Sequence, residues 1–363
     1  MKRYGCDSLG YAGVIAMSVM LAAQGWAASG AWTGLSGTAW TDDANWGGAG
    51  YPSGGDEATF SGGGNGNTVI DLIGLPGIAF ITFSSSGAAA YTLGTGGAGG
   101  QTLVMEAGGL FQIGADAGNS QTFNAAVRLG PDASAGAYAF KNESAGRTLT
   151  FAGGVAGGEG GAAGVKTLTV SGAGNTVLSG AVADGGASAV ALVAAGQGTV
   201  TLSGANSHSG GTAVESGTLT ASHIQALGTG PVANDGTLNL TVPASEYTGI
   251  SSGLSGMGTV NVTLGTGTSL NRLDGDASGF TGVWNIGPGA TAGRARMNGA
   301  DNAAATVNVL SNASLYVSGP VVKHATAILY GGNICDQSGQ LRLENGVRCG
   351  LMELKVWRVC GVF

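Results

Sequence analysis

Cysteine is almost missing from this chain of 363 residues: Cys6 lies at the extreme N-terminus, and Cys335, Cys349 and Cys360 lie in the last stretch before Phe363. A body without cysteine has no disulfide framework, so its stability must come from a buried core. Charge is also scarce. Only 10% of the residues are charged, the net charge is -7, and no Lys or Arg occurs between Lys166 and Arg272. A phosphate-binding surface is therefore excluded over the middle third, and nucleic acid with it as a partner. The one long apolar run, Tyr11 to Ala23, is shorter than the roughly 20 residues of a membrane-spanning helix, so no span is expected in the mature chain. His208, His223 and His324 have no second ligand at metal spacing, and each reads as a surface or loop residue; no P-loop or G-x-S-x-G is present. No metal and no cofactor are expected.

What the chain has is glycine, 72 residues of it, together with a hydrophobic share of 43%. The glycines alternate with Val, Leu and Thr at strand spacing, which implies strands joined by many tight turns. The first 27 residues combine Lys2 and Arg3, the apolar run, and small residues at Gly25 and Ala27. That is the pattern of a cleaved signal peptide, so the mature chain is expected to begin near Ala28, secreted or held at the cell surface.

One phrase recurs. Aligned on its first threonine it reads RTLTF at Thr148, KTLTV at Thr167, GTVTL at Thr199, GTLTA at Thr218, GTLNL at Thr237, GTVNV at Thr259 and ATVNV at Thr306. Within each copy Thr or Asn alternates with Leu or Val, the signature of a strand with one buried face. A five-residue strand every twenty residues has too little apolar area to form a core alone, but stacked copies bury it as a continuous column. The expected fold is all-β, a parallel β-helix of some fifteen rungs, on the order of 70 Å long at ordinary strand spacing. It occupies residues 67–332, with the repeat centred on 167–240, after an aromatic cap region at 28–66.

The stretch TVTLSGANSHSGGTAVESGTLTA resembles the autotransporter-associated β-strand repeat of bacterial passenger domains. Leu202, Ser203, Gly204, Asn206, Ser209, Gly210, Gly211, Thr212, Val214, Gly217, Thr218 and Leu219 match its pattern, and His208 stands where the pattern has Tyr. The resemblance implies a right-handed β-helix on the outside of a Gram-negative-type cell, an adhesin-type passenger whose repeat assists its own secretion and folding. It implies outer-membrane translocation machinery and a surface glycan or host cell-surface component as partners. Passengers of this kind end in a membrane β-barrel, and no run of alternating ten-residue segments closes this sequence. Residues 333–363 instead gather Arg342, Arg348, Lys355 and Arg358 with the three cysteines. This tail is either a cap for the rod or, the favoured reading, the product of a truncated or shifted reading frame.

Parallel β-helices also suit polysaccharide-degrading enzymes, so carboxylates need testing. Arg272, Asp274 and Asp276 form the nearest cluster, and in a strand the two aspartates would share a face. An Asp-Gly-Asp run is more simply a solvated turn, as are Asp42 and Asp43, and no catalytic residue is assigned. GGGNGNTVID, from Gly62 to Asp71, lacks the calcium-binding Asp of a β-roll and occurs once. Trp32, Trp40 and Trp46, with Tyr51, are either a lid on the first rung or a glycan-stacking platform.

Overall fold

The computed structural model describes residues 29–48, 50–242, 248–265, 270–287, 293–298, 305–311, 313–318, 326–329 and 333–336. The expected signal peptide, His324 and residues 337–363 lie outside the described residues. Nearly all regular structure is strand, and every strand pair is parallel, stacked as a β-solenoid of about 11 turns. At ordinary strand spacing this is a stack of about 50 Å.

Successive turns present strands in register, forming columns. The repeated phrase builds one of them. Thr199, Thr218, Thr237 and Thr259 are direct partners in sequence, and the column continues through Val283 to Thr306 and Thr326. A second column begins with Gly54–Phe60 and Ile78–Phe83 and runs through Gly136–Asn142 and Val165–Ser171 to Val232–Asn234 and Leu254–Gly256. A third, in the N-terminal half, stacks Leu103, Val127, Val155 and Val182. Towards the C-terminus a separate four-stranded sheet is built from Leu270–Arg272, Gly293–Asn298, Ala313–Ser318 and Asn333–Asp336.

Two expectations are corrected here. Thr167 pairs with Ala137 and Ala191 in the second column, not with the other copies; the missing rung is Asn175–Leu178, whose Thr176 faces Val200. The gap from Thr259 to Thr306 holds one full rung, Val283–Ile286, which lacks the opening threonine. The count of fifteen rungs assumed twenty residues per turn throughout. Turns run 30 residues from Leu93 to Phe123 and 28 from Phe123 to Phe151, but 19 from Leu202 to Ala221, because early turns carry the third strand column and the repeat does not.

Alternation puts Leu, Val and Ile inside and Thr or Asn outside, as in Thr237–Leu240, where Leu238 and Leu240 are fully buried. Each such side chain contributes roughly 1.5–3 kcal/mol when removed from water. In the N-terminal half the interior is aromatic. Phe60 stacks on Phe83 at 5.1 Å between ring centroids, Phe123 on Phe151 at 4.7 Å and Phe151 on Phe140 at 3.7 Å. Stacked rings of this kind add about 1 kcal/mol per pair beyond burial.

Candidate functional site: the repeat unit and its faces

The repeat from Leu202 to Leu219 is one corner and two strands. Leu202, Val214 and Leu219 point into the core and Thr218 points out. Between Leu202 and Thr212 no strand forms, so the backbone of this corner depends on side chains. Asn206 is buried and spans two neighbouring turns: its Oδ1 accepts from Val182 N at 2.8 Å and its Nδ2 donates to Ala226 O at 2.6 Å. Thr212 Oγ1 donates to Leu227 O at 3.0 Å. Gly204 and Gly210 lie against the backbones of Gly180 and Val190, while Gly211 and Gly217 take positive φ. Ser203 and Ser209 are exposed at the corner, and Ser209 N donates to Asp184 Oδ1.

His208 belongs to this corner and is fully buried, which corrects its reading as a surface residue. Its Nε2 lies 2.9 Å from Thr212 Oγ1. Because that hydroxyl's one proton goes to Leu227, Nε2 must carry the proton, and Nδ1 is a bare acceptor packed against Gly228. Burial pushes the imidazole down to about 4, with Asp184 partly opposing the shift. Of the other described histidine, His223, the Nδ1 accepts from Gln225 N.

Outside the rod, the column of the repeat presents a ladder. Asn239, Asn261, Asn285 and Asn308 are in register, and each Nδ2 from Asn261 onward donates to the preceding Oδ1 at 2.8 Å. Beside it runs the threonine row Thr199, Thr218, Thr237 and Thr259. These two rows carry no charge and repeat at the strand spacing.

Trp32, Trp40 and Trp46 are 3%, 0% and 4% exposed. Their indole N–H groups donate to Asn67 O, Pro52 O and Trp40 O. Trp40 and Trp46 lie 4.7 Å apart, and all three pack on Phe60 at the first turn. The open ring faces that sugar stacking requires are therefore taken up by neighbouring rings. Asp43 Oδ1 accepts from Tyr51 N and Asp42 Oδ1 from Ala44 N, so Asp42 caps the short turn Asp43–Trp46 and Asp43 ties that turn to the chain at Tyr51.

The cluster around Asp274 and Asp276 is also differently arranged. Asp274 is not in a strand; it pairs with Arg296, one turn on. Asp276 accepts from Ser278 N and is held below the usual carboxylate range by its bonds to the Ser278 side chain and backbone. Each carboxylate thus has a structural partner of its own. At Gly62 to Asp71 the chain makes the short turn Gly64–Gly66 with Asn65 at φ 50°, and no group of metal-binding side chains occurs among the described residues.

Sequence reasoning missed Lys166. It occupies a core-facing position in Val165–Ser171, is 1% exposed, and reaches Tyr138 Oη at 3.3 Å and Asp132 Oδ1 at 3.8 Å. Burial lowers the amine's pKa and, with Asp132 and Glu106, raises the Tyr138 phenol to about 12. The signal was a lysine at an aliphatic position of a strand pattern. Being closed over, the amine is out of reach of a polymeric substrate.

Among the described residues no helix is long and apolar enough to cross a membrane. No curated protein and no solved structure matches the chain. Residues 192–221 match the family model of the passenger-associated-transport-repeat. That repeat is not an enzyme family, and its presence implies an exported or cell-surface protein. The matched repeat and the stacked parallel strands together fit an autotransporter passenger-like protein.

Proposed function

We propose that this chain is a non-enzymatic rod of adhesin type, exported behind the leader at 1–27 and passed outward by outer-membrane translocation machinery. The observation that carries the reading is the uncharged Thr and Asn ladder on the column of the repeat, in register from Thr199 to Asn308. Such a face offers donors and acceptors at a constant spacing to a neutral, hydroxyl-rich surface component, a glycan above all, without needing a pocket. The repeat serves export as well. Asn206 ties its own turn to both neighbours, so each turn that folds outside the membrane holds the one before it and opposes backsliding. The buried tryptophans act as the lid of the first turn, covering apolar rings that would otherwise meet water.

The test is adhesion by cells that display the full chain, measured on a panel of neutral glycans and host cell surfaces. Thr220 is the register partner of Asn239 and stands at the head of the asparagine row; Thr220→Asp combined with Asn261→Asp should abolish adhesion while surface display, read by antibody labelling, stays unchanged. Adhesion that survives both charges would remove the ladder from the function. Display that fails with Asn206→Ala but not with the ladder variant would support the separate export role.

A further inference from the structure

The Thr and Asn rows reach well beyond the repeat. Upstream of Thr201 the outward row runs through Val177, Thr150 and Thr122 to Thr92, and downstream it passes Thr220 and becomes the asparagine ladder that ends at Asn308. Two residues earlier on each strand lies the second row, which holds Thr148 and Asn175 upstream of Thr199. Threonine fills both rows in three of these strands, as Thr148 with Thr150, Thr199 with Thr201 and Thr218 with Thr220. Neither row holds a charged side chain, and the interruptions at Val177 and Val283 keep the shape of threonine without its hydroxyl.

Such an array has two fixed repeats. Successive strands follow at about 4.8 Å, and residues i and i+2 of one strand stand about 6.7 Å apart. Both distances lie within about a tenth of the spacings at which oxygen atoms recur along the a and c axes of hexagonal ice. From Thr92 to Asn308 the row crosses ten strands, a strip about 43 Å long. Side-chain ladders hold a sheet flat against its natural twist, and here the asparagines are tied strand to strand at 2.8 Å.

We infer that this face binds ice. The threonine hydroxyls take the places of lattice oxygens, and the methyl groups beside them confine the water between the rows to a single file. The asparagine amides already hold one another in line, so they lose little freedom on meeting a lattice. Each contact is weak, but a crystal face meets all the strands at once, and the uncharged rows bring no tightly held hydration shell that would break the lattice. The inference shares its face with the proposed adhesion but not its premise, since it concerns only the chain and water.

Ice growth in solutions of the purified full chain is the test. A seed crystal should stay without growth over a measurable interval below its melting point and become faceted, and fluorescently labelled chain should remain on its surface. Thr201→Lys and Thr150→Lys, two turns apart, should each narrow the interval by about fivefold or more. Thr169→Lys, outward on the second column, should leave it unchanged. All three positions face outward, so circular dichroism and melting temperature should match the parent, and two separate positions keep the test decisive if one substitution disturbs folding. Round crystals that grow without arrest at every concentration overturn the inference. So does an interval that Thr169→Lys narrows as much as Thr201→Lys. Glycan adhesion by a chain without effect on ice would overturn it too, while leaving the adhesin reading in place.

Discussion

The imidazole of His208 donates through Nε2 to Thr212 Oγ1 at 2.9 Å, inside a corner where no strand ladder holds the backbone. This pair makes the repeat sensitive to acid. Folded His208 takes up a proton only near pH 4, whereas its ordinary value is 6.5. Between those values the unfolded chain binds more protons, so stability rises with pH through the window and is full above 6.5. Acidification from 7 to 4 should remove about 3 kcal/mol through this residue alone. His208→Phe should lose that slope and be neutral or stabilising at pH 7, because Thr212 keeps its bond to Leu227. Urea melts of both chains from pH 4 to 7 measure this; parallel slopes would show that His208 does not titrate as argued.

Asn206 carries a different burden. Replacing it by alanine leaves Val182 N and Ala226 O buried without partners and detaches two neighbouring turns from this one. Two unsatisfied backbone groups cost about 2–4 kcal/mol together. Hydrogen exchange should locate the damage, with the Val182 amide losing protection in Asn206→Ala while Leu240, two turns away, keeps its own.

Which parts of this molecule were legible in its sequence follows from how each is encoded. The alternation in Thr237–Leu240 and Thr259–Val262 is a local signal, and it placed those strands and their inward leucines and valines directly. Column membership is not local: KTLTV and GTVTL are the same phrase, yet Thr167 and Thr199 lie on different faces, because corner lengths decide where a strand lands. Val283–Ile286 was invisible for the opposite reason, since packing needs only Trp284 and Ile286 inside and tolerates Val in place of the outward threonine. Of the polar residues inside the rod, His208 reads as surface and Lys166 goes unnoticed, because burial depends on partners such as Thr212 and Tyr138 that meet them only after folding.

Gly217 shows how tightly the 19-residue turn is drawn. Its φ is +67°, and a Cβ there would collide with the carbonyl oxygen of Gly196 one turn earlier. Gly217→Ala should cost about 2 kcal/mol from the left-handed backbone and the contact combined. Gly186→Ala is the control, with no atom near its would-be Cβ and no positive φ, and should lie within about 0.5 kcal/mol of the parent. Equal melting midpoints for the two variants would mean that the corner relaxes freely.

The tryptophans at the first turn give the last prediction. Trp40 is fully buried, donates to Pro52 O at 2.8 Å, and accepts from the Trp46 indole through its own carbonyl. Trp40→Ala therefore opens a cavity beneath Phe60 and should cost about 4 kcal/mol, in the range of large-to-small changes in a packed core. Trp46→Ala should cost a similar amount, because Trp32 and Phe60 both pack against its ring. A sugar platform predicts otherwise: small loss of stability, and saturable quenching of tryptophan emission by glycan. With the ring faces covered by one another, emission should be indifferent to glycans up to the highest concentration tested, and both variants should unfold at lower urea. Saturable quenching by any sugar would mean that this turn opens in solution and exposes the rings.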